Sequence, residues 1–264
     1  VAAVLFGGYN LALKLSLTAG MAMLALLMAV MPWLIWKSLQ FSLYNSSYRG
    51  IRFGFDGSAR GAYFHYLLLP LLGVLSLGLL YPFVHQRIKR FQHTNSRYGS
   101  VPFSFDASVG GFYKVYLYGF GLLMAGSVVM GFLLMIAIAL KKLETESMAW
   151  VPVAIYPYVL VVMFVAMASL QNLIWNHTYL GQHGFRSTMK TGKLASLYIT
   201  NTLAIIFTLG LFIPFAVVRA LKYRLECTSL VVNGSLDDIT AGQRADVGAI
   251  GEGAADIGGF DLAL

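Results

Sequence analysis

The chain has 264 residues, of which 58% are hydrophobic and only 11% charged, and its mean hydropathy is +0.70. Soluble domains carry about 25% charged residues, so this composition argues against a soluble protein and makes lipid the expected solvent. The formal net charge of +8 would suggest nucleic acid in a soluble chain. Here the basic residues flank apolar segments, where they read as topology signals and as contacts to anionic lipid headgroups, and no nucleic-acid-binding motif accompanies them.

In chain order, the run Val1 to Gly8 is apolar but lacks a basic flank, so it does not read as a signal peptide. The start at Val1 rather than Met reads as a fragment, or as a processed or mis-assigned start. Five long apolar segments follow, at about 15–36, 62–84, 115–140, 149–175 and 195–218. Each reaches the roughly 20 residues that cross a bilayer as a helix, and helices satisfy their own backbone groups in lipid. Residues 1–224 are thus expected to form a transmembrane domain. Residues 225–264 form a Gly- and Ala-rich tail that is acidic from Asp237 onward and reads as flexible. The single cysteine, Cys227, permits no internal disulfide and has no neighbours that would activate a thiol.

The connections between segments resemble one another. Pro32 to Tyr66 aligns with Pro82 to Tyr116 at an offset of 50 without a gap, matching Asn45 with Asn95, Tyr48 with Tyr98, Phe53 with Phe103, Phe55 with Phe105 and Ser58 with Ser108. A looser third copy begins at Asn176 and continues through Tyr179, Gly181 and Phe185. Such self-similarity predicts internal repeats. Within each, Ile51, Phe53 and Phe55 alternate as a short strand does, and Asp56-Gly57 is a turn signal. The expected fold is an all-α polytopic membrane protein built from internal repeats, with short surface β-hairpins between helices.

These motifs resemble those of the YjgN family of bacterial inner-membrane proteins, a domain of unknown function. The matching stretches are Asn45-Ser-Ser-Tyr48-Arg-Gly50, Phe53-Gly-Phe55-Asp-Gly57, Leu77-Gly78 with Tyr81-Pro82-Phe83, Asn95 to Asp106, Leu209-Gly210 with Pro214-Phe215, and Tyr223-Arg224-Leu225-Glu226. The resemblance spans nearly the whole chain. It implies a multi-pass inner-membrane location, and a further N-terminal repeat beyond Val1. It brings no catalytic or binding residues.

The sequence offers no catalytic dyad, nucleotide motif or cofactor signature, so no enzyme and no cofactor are expected. His177 and His183 share a loop, but no Cys or carboxylate stands at ligand spacing, and no metal is expected. Polar groups inside apolar segments are the better functional lead, and the candidates are His65 and Asn201; Asn201 reads equally well as a helix–helix hydrogen bond. The repeated Asn45, Tyr48, Asn95, Tyr98, Asn176 and Tyr179 read as structural, with the Asn side chains holding turns. The expected partners are the bilayer and its anionic headgroups, with room for a homo-oligomer or a membrane partner. Two function classes follow: a transporter or channel-like protein built from repeats, and a non-enzymatic envelope scaffold that binds lipid or a partner.

Two topologies compete. If all five segments cross once, the basic loops 37–61 and 85–114 face opposite compartments, against the positive-inside tendency. If segments 62–84 and 195–218 instead turn back around Ser76 to Gly78 and Thr208 to Gly210, every basic loop shares one side and only Lys141 to Ser147 faces the other.

Overall fold

The computed structural model describes residues 2–140 and 151–234; the loop Lys141 to Ser147 and the acidic stretch Asp237 to Leu264 lie outside the described residues. These residues divide into two compact units. The first contains α1 (Ala2–Leu15), α2 (Leu17–Asn45), β1 (Ser47–Tyr48), β2 (Ile51–Phe55), α3 (Ala59–Tyr63), a π-helical turn (Phe64–Leu68), α4 (Leu69–Leu75), α5 (Tyr81–Thr94), β3 (Ser96–Tyr98), β4 (Val101–Phe105), β5 (Thr178–Leu180) and the start of β6 (His183–Ser187). The second contains α6 (Val109–Ala139), α7 (Val151–Asn176), the rest of β6, α8 (Thr191–Phe207), α9 (Ile213–Glu226) and β7 (Thr228–Val231).

The hairpins form where local chemistry demands them. Arg49 and Gly50 both adopt positive φ (49° and 77°) between β1 and β2, as the mirror-image turns of tight hairpins require. Gly99 and Gly181, each at φ 58°, open the next two turns, a conformation that glycine adopts without a Cβ penalty. After the second strand the chain enters a helix through Ser58 or Ser108, whose hydroxyls accept from Gly61 N and Gly111 N, each at 3.1 Å. This is N-capping of an otherwise unpaired donor.

The expectation of an all-α fold with short surface β-hairpins between helices is overturned. All the strands lie in one antiparallel order, β1-β2-β3-β4-β5-β6-β7. In the first unit β2 pairs β3 with Phe53 opposite Tyr98, and β4 pairs β5 with Phe103 opposite Leu180. The physical reason is that a lone two-stranded hairpin leaves two edges of backbone donors and acceptors unpaired, and the neighbouring hairpin can satisfy them. The alternating phenylalanines then bury together: Phe53 lies 4.8 Å from Tyr98 and 6.3 Å from Phe103, ring centre to ring centre.

The count of five comparable segments is corrected as well. Among the described residues three helices are long and apolar enough to cross a membrane: Leu17–Asn45, Val109–Ala139 and Ile155–Asn176. Segments 62–84 and 195–218 are each broken in two, α4 from α5 and α8 from α9. The first unit's core gathers Leu39, Leu43, Phe55, Ala62 and Phe91; the second's gathers Phe164, Ala168, Met189, Leu194 and Tyr223.

Candidate functional site

The second residue past each hairpin's second strand is held by a polar side chain from the helix that precedes the hairpin. Trp36 Nε1 donates to Gly57 O at 2.5 Å. At the corresponding position Gln86 Nε2 donates to Ala107 O at 2.9 Å. In the second unit Asn172 Nδ2 donates to Met189 O at 3.0 Å, while its Oδ1 accepts from Met189 N and from Ser187 Oγ, both at 2.8 Å. Three different residue types thus tie a strand end to a helix. That variety is why sequence matching did not find them.

The two broken segments share one construction. Ser76 N donates to Leu72 O, Leu77 N to Val74 O and Gly78 N to Gly73 O; Thr208 N donates to Ala204 O, Leu209 N to Ile206 O and Gly210 N to Ile205 O. Crossed bonds of this kind are the Schellman ending of a helix. Leu77 and Leu209 carry φ of 53° and 49°, a left-handed conformation that costs about 1–2 kcal/mol in a non-glycine residue. The hydroxyls of Ser76 and Thr208 accept from Leu80 N and Phe212 N, each at 3.0 Å. These turn donors are therefore satisfied from within, although Leu77 and Leu209 are 94% and 95% exposed.

The sequence candidates fall in different places. Asn201 is 5% exposed and bridges α8 to α9: its Nδ2 donates to Ala216 O at 3.2 Å and its Oδ1 accepts from Arg219 Nη1 at 2.7 Å. His65 pairs its Nδ1 with Gly61 O at 2.8 Å and stacks on Phe91 at 4.4 Å. The two are separate features. Asn95 Nδ2 donates to Phe91 O at 2.7 Å, and Asn176 Oδ1 accepts from Ser187 N at 2.6 Å. Asn45 is exposed and makes no side-chain hydrogen bond among the described residues. Tyr98 is buried and donates from its hydroxyl to Tyr48 O at 2.8 Å, whereas Tyr48 is exposed. Tyr179 lies on β5 opposite Ser104 and Gly184. The turn glycines Gly99 and Gly181 align His177 with Asn95, one place beyond Asn176, and His177 Nδ1 indeed meets Leu173 O at 2.8 Å as Asn95 meets Phe91 O.

The asparagines therefore part ways in their expected effect. Asn95→Ala is expected to lower stability by about 1 kcal/mol through its lost hydrogen bond, and Asn45→Ala to leave thermal unfolding unchanged. Equal losses at both positions would contradict this assignment.

One buried group escaped the sequence reading. His93 is 1% exposed, stacks on Phe105 at 5.2 Å, and sets its Nδ1 3.4 Å from Thr178 Oγ1. Burial, aided by the charge of Lys89, pushes its pKa down to about 3, so it is neutral at ordinary pH. No group of three or more His, Cys, Asp or Glu side chains that could hold a metal occurs among the described residues.

A family model for bacterial proteins of unknown function, DUF898, matches residues 1–257. The chain belongs to DUF898. No curated protein and no solved structure matches it. As a DUF898 protein with three apolar helices of spanning length, it is a bacterial, membrane-associated protein. Its charge is lopsided: among the described residues only Asp56, Asp106 and Glu226 are acidic. Arg97 pairs with Asp56 at 3.1 Å and Lys222 with Glu226 at 3.9 Å. Arg49, Arg52, Arg97 and Arg186 lie on the strands or their turns, and Lys190, Lys193, Lys222 and Arg224 lie near helix ends.

Proposed function

We propose that this chain is a multi-pass inner-membrane protein of the YjgN type, built from internal repeats, that serves as a non-enzymatic envelope scaffold seated on anionic lipid. The strand pairing carries the reading. Because β2 bonds β3, and β4 bonds β5, the chain must leave and return to one side of the membrane between them. Residues 106–177 satisfy this with two spans, α6 and α7. Residues 56–95 satisfy it only by turning back, and the Leu77-Gly78 turn is where they reverse. The second hairpin, turning at Leu209-Gly210, is built alike. A turn whose donors are bonded internally and whose leucines are exposed is suited to apolar surroundings. Within the first unit, the strand-side arginines Arg49, Arg52 and Arg97 then face one compartment, which the positive-inside tendency makes cytoplasmic.

Cysteines introduced at Ser47 and Ser96 test this. Labelling of both from the same side of sealed vesicles is expected; labelling from opposite sides rejects the reading. One observation favours transport instead: Asn201 and Arg219 place polar groups inside a broken helical hairpin, as transporter sites do. Ion or solute flux through liposomes holding the full-length protein would support that second reading.

A further inference from the structure

We propose that Arg219 and Arg87 are binding sites for the phosphate of anionic phospholipids. This inference rests on the turning-back of both hairpins argued above. The two arginines hold equivalent places. Each lies on the helix that follows a Leu-Gly turn, past a proline at the helix start (Pro82 or Pro214), and six residues beyond the first residue, Tyr81 or Ile213. At about 1.5 Å per residue each sits about 9 Å along the helix from that first residue, on the side away from the turn. The boundary between headgroups and acyl chains is where anionic phosphates meet apolar side chains. The surface between each turn and its arginine is apolar. Leu77, Leu79 and Tyr81 are exposed on one hairpin, and Leu209, Leu211 and Ile213 on the other.

Among the described residues these helices carry no acidic side chain at that level. Arg219 is exposed between the exposed Val217, Val218 and Leu221, and neither it nor Arg87 forms an ion pair among the described residues. The Arg219 guanidinium is nonetheless held in place. Its Nη1 donates to Asn201 and its Nη2 to Thr200 Oγ1 at 3.4 Å, and its carbon stands 6.0 Å from the Phe212 ring centre. Arg87 is likewise set 5.0 Å from the Phe83 ring centre. A guanidinium has five donors in a fork that fits phosphate, and these contacts leave part of the fork unused. A cation fixed at the edge of the hydrocarbon needs a counter-charge. A phospholipid phosphate at that depth supplies one without any acidic side chain. Asn201 then acts as a positioning residue that aims Arg219.

The test is thermal unfolding of the full chain in neutral detergent, titrated with phosphatidylglycerol, phosphatidylcholine or inorganic phosphate. Phosphatidylglycerol is expected to raise the melting temperature of the natural chain, and the other two are not. In R87Q/R219Q the phosphatidylglycerol needed for half the effect is expected to rise about tenfold. An unchanged response in the double variant overturns the proposal, and so does equal stabilisation by inorganic phosphate, which would mean a free-anion site. Arg87 makes no hydrogen bond among the described residues, so R87Q decides alone should R219Q fail to fold. Labelling at Ser47 and Ser96 separates the two levels of inference. Opposite-side labelling removes the turning-back itself, whereas same-side labelling with an unchanged lipid response removes only the phosphate sites.

Discussion

Asn172→Ala is expected to cost about 3 kcal/mol of stability, the largest loss from any single polar side chain in the second unit. The side chain makes three hydrogen bonds, to both backbone groups of Met189 and to the Ser187 hydroxyl. Each is worth about 1 kcal/mol net, and stranding a buried partner costs more than a simple loss. The partners cannot easily turn to water, since Met189 and Ser187 are buried. Met189 is also part of the core formed with Phe164, Ala168, Leu194 and Tyr223, so release of the strand end loosens apolar packing too. Thermal unfolding of the purified full chain gives the measurement. Asn172→Asp keeps the acceptor for Met189 N and the Ser187 hydroxyl while losing the donor to Met189 O, and should fall between alanine and the natural residue. If the alanine variant melts at the natural temperature, the bonds are not structural.

Gly126→Ala is expected to destabilise the pairing of α6 with α7 by about 2 kcal/mol, in the range of overpacking substitutions. A Cβ at Gly126 would overlap the ring of Tyr158. The ring has little freedom to yield, because the Tyr158 hydroxyl donates to Leu122 O across the same helix pair. Small residues allow such close approach between apolar helices, where no hydrophobic drive from water assists packing. The effect should be specific to that ring. Tyr158→Ala in the Gly126→Ala background removes the overlap, so the double variant is expected to be no less stable than Tyr158→Ala alone. A cycle in which the two losses simply add would show that the close contact is unimportant.

Composition and hydropathy determined the membrane environment, since too few charges remain to cover a water-facing surface. The offset between Pro32–Tyr66 and Pro82–Tyr116 made the strand–turn–strand stretches legible, because alternating phenylalanines, turn glycines and capping serines are local signals. The two Leu-Gly places at which the helices break were also visible as points where the chain could turn. Partner choice was not visible. A strand's outward N–H and C=O groups look the same in sequence whether they meet water, lipid headgroups or another hairpin, so only the fold could decide that Phe53 faces Tyr98 and Phe103 faces Leu180. The same holds for the side chains that tie strand to helix: Trp36, Gln86 and Asn172 share a role without sharing a chemistry. Arg219 reads as an ordinary flanking charge until Asn201, eighteen residues earlier, is brought within 2.7 Å of it by the turn at Leu209-Gly210. That proximity is a property of chain reversal, and no local propensity encodes it.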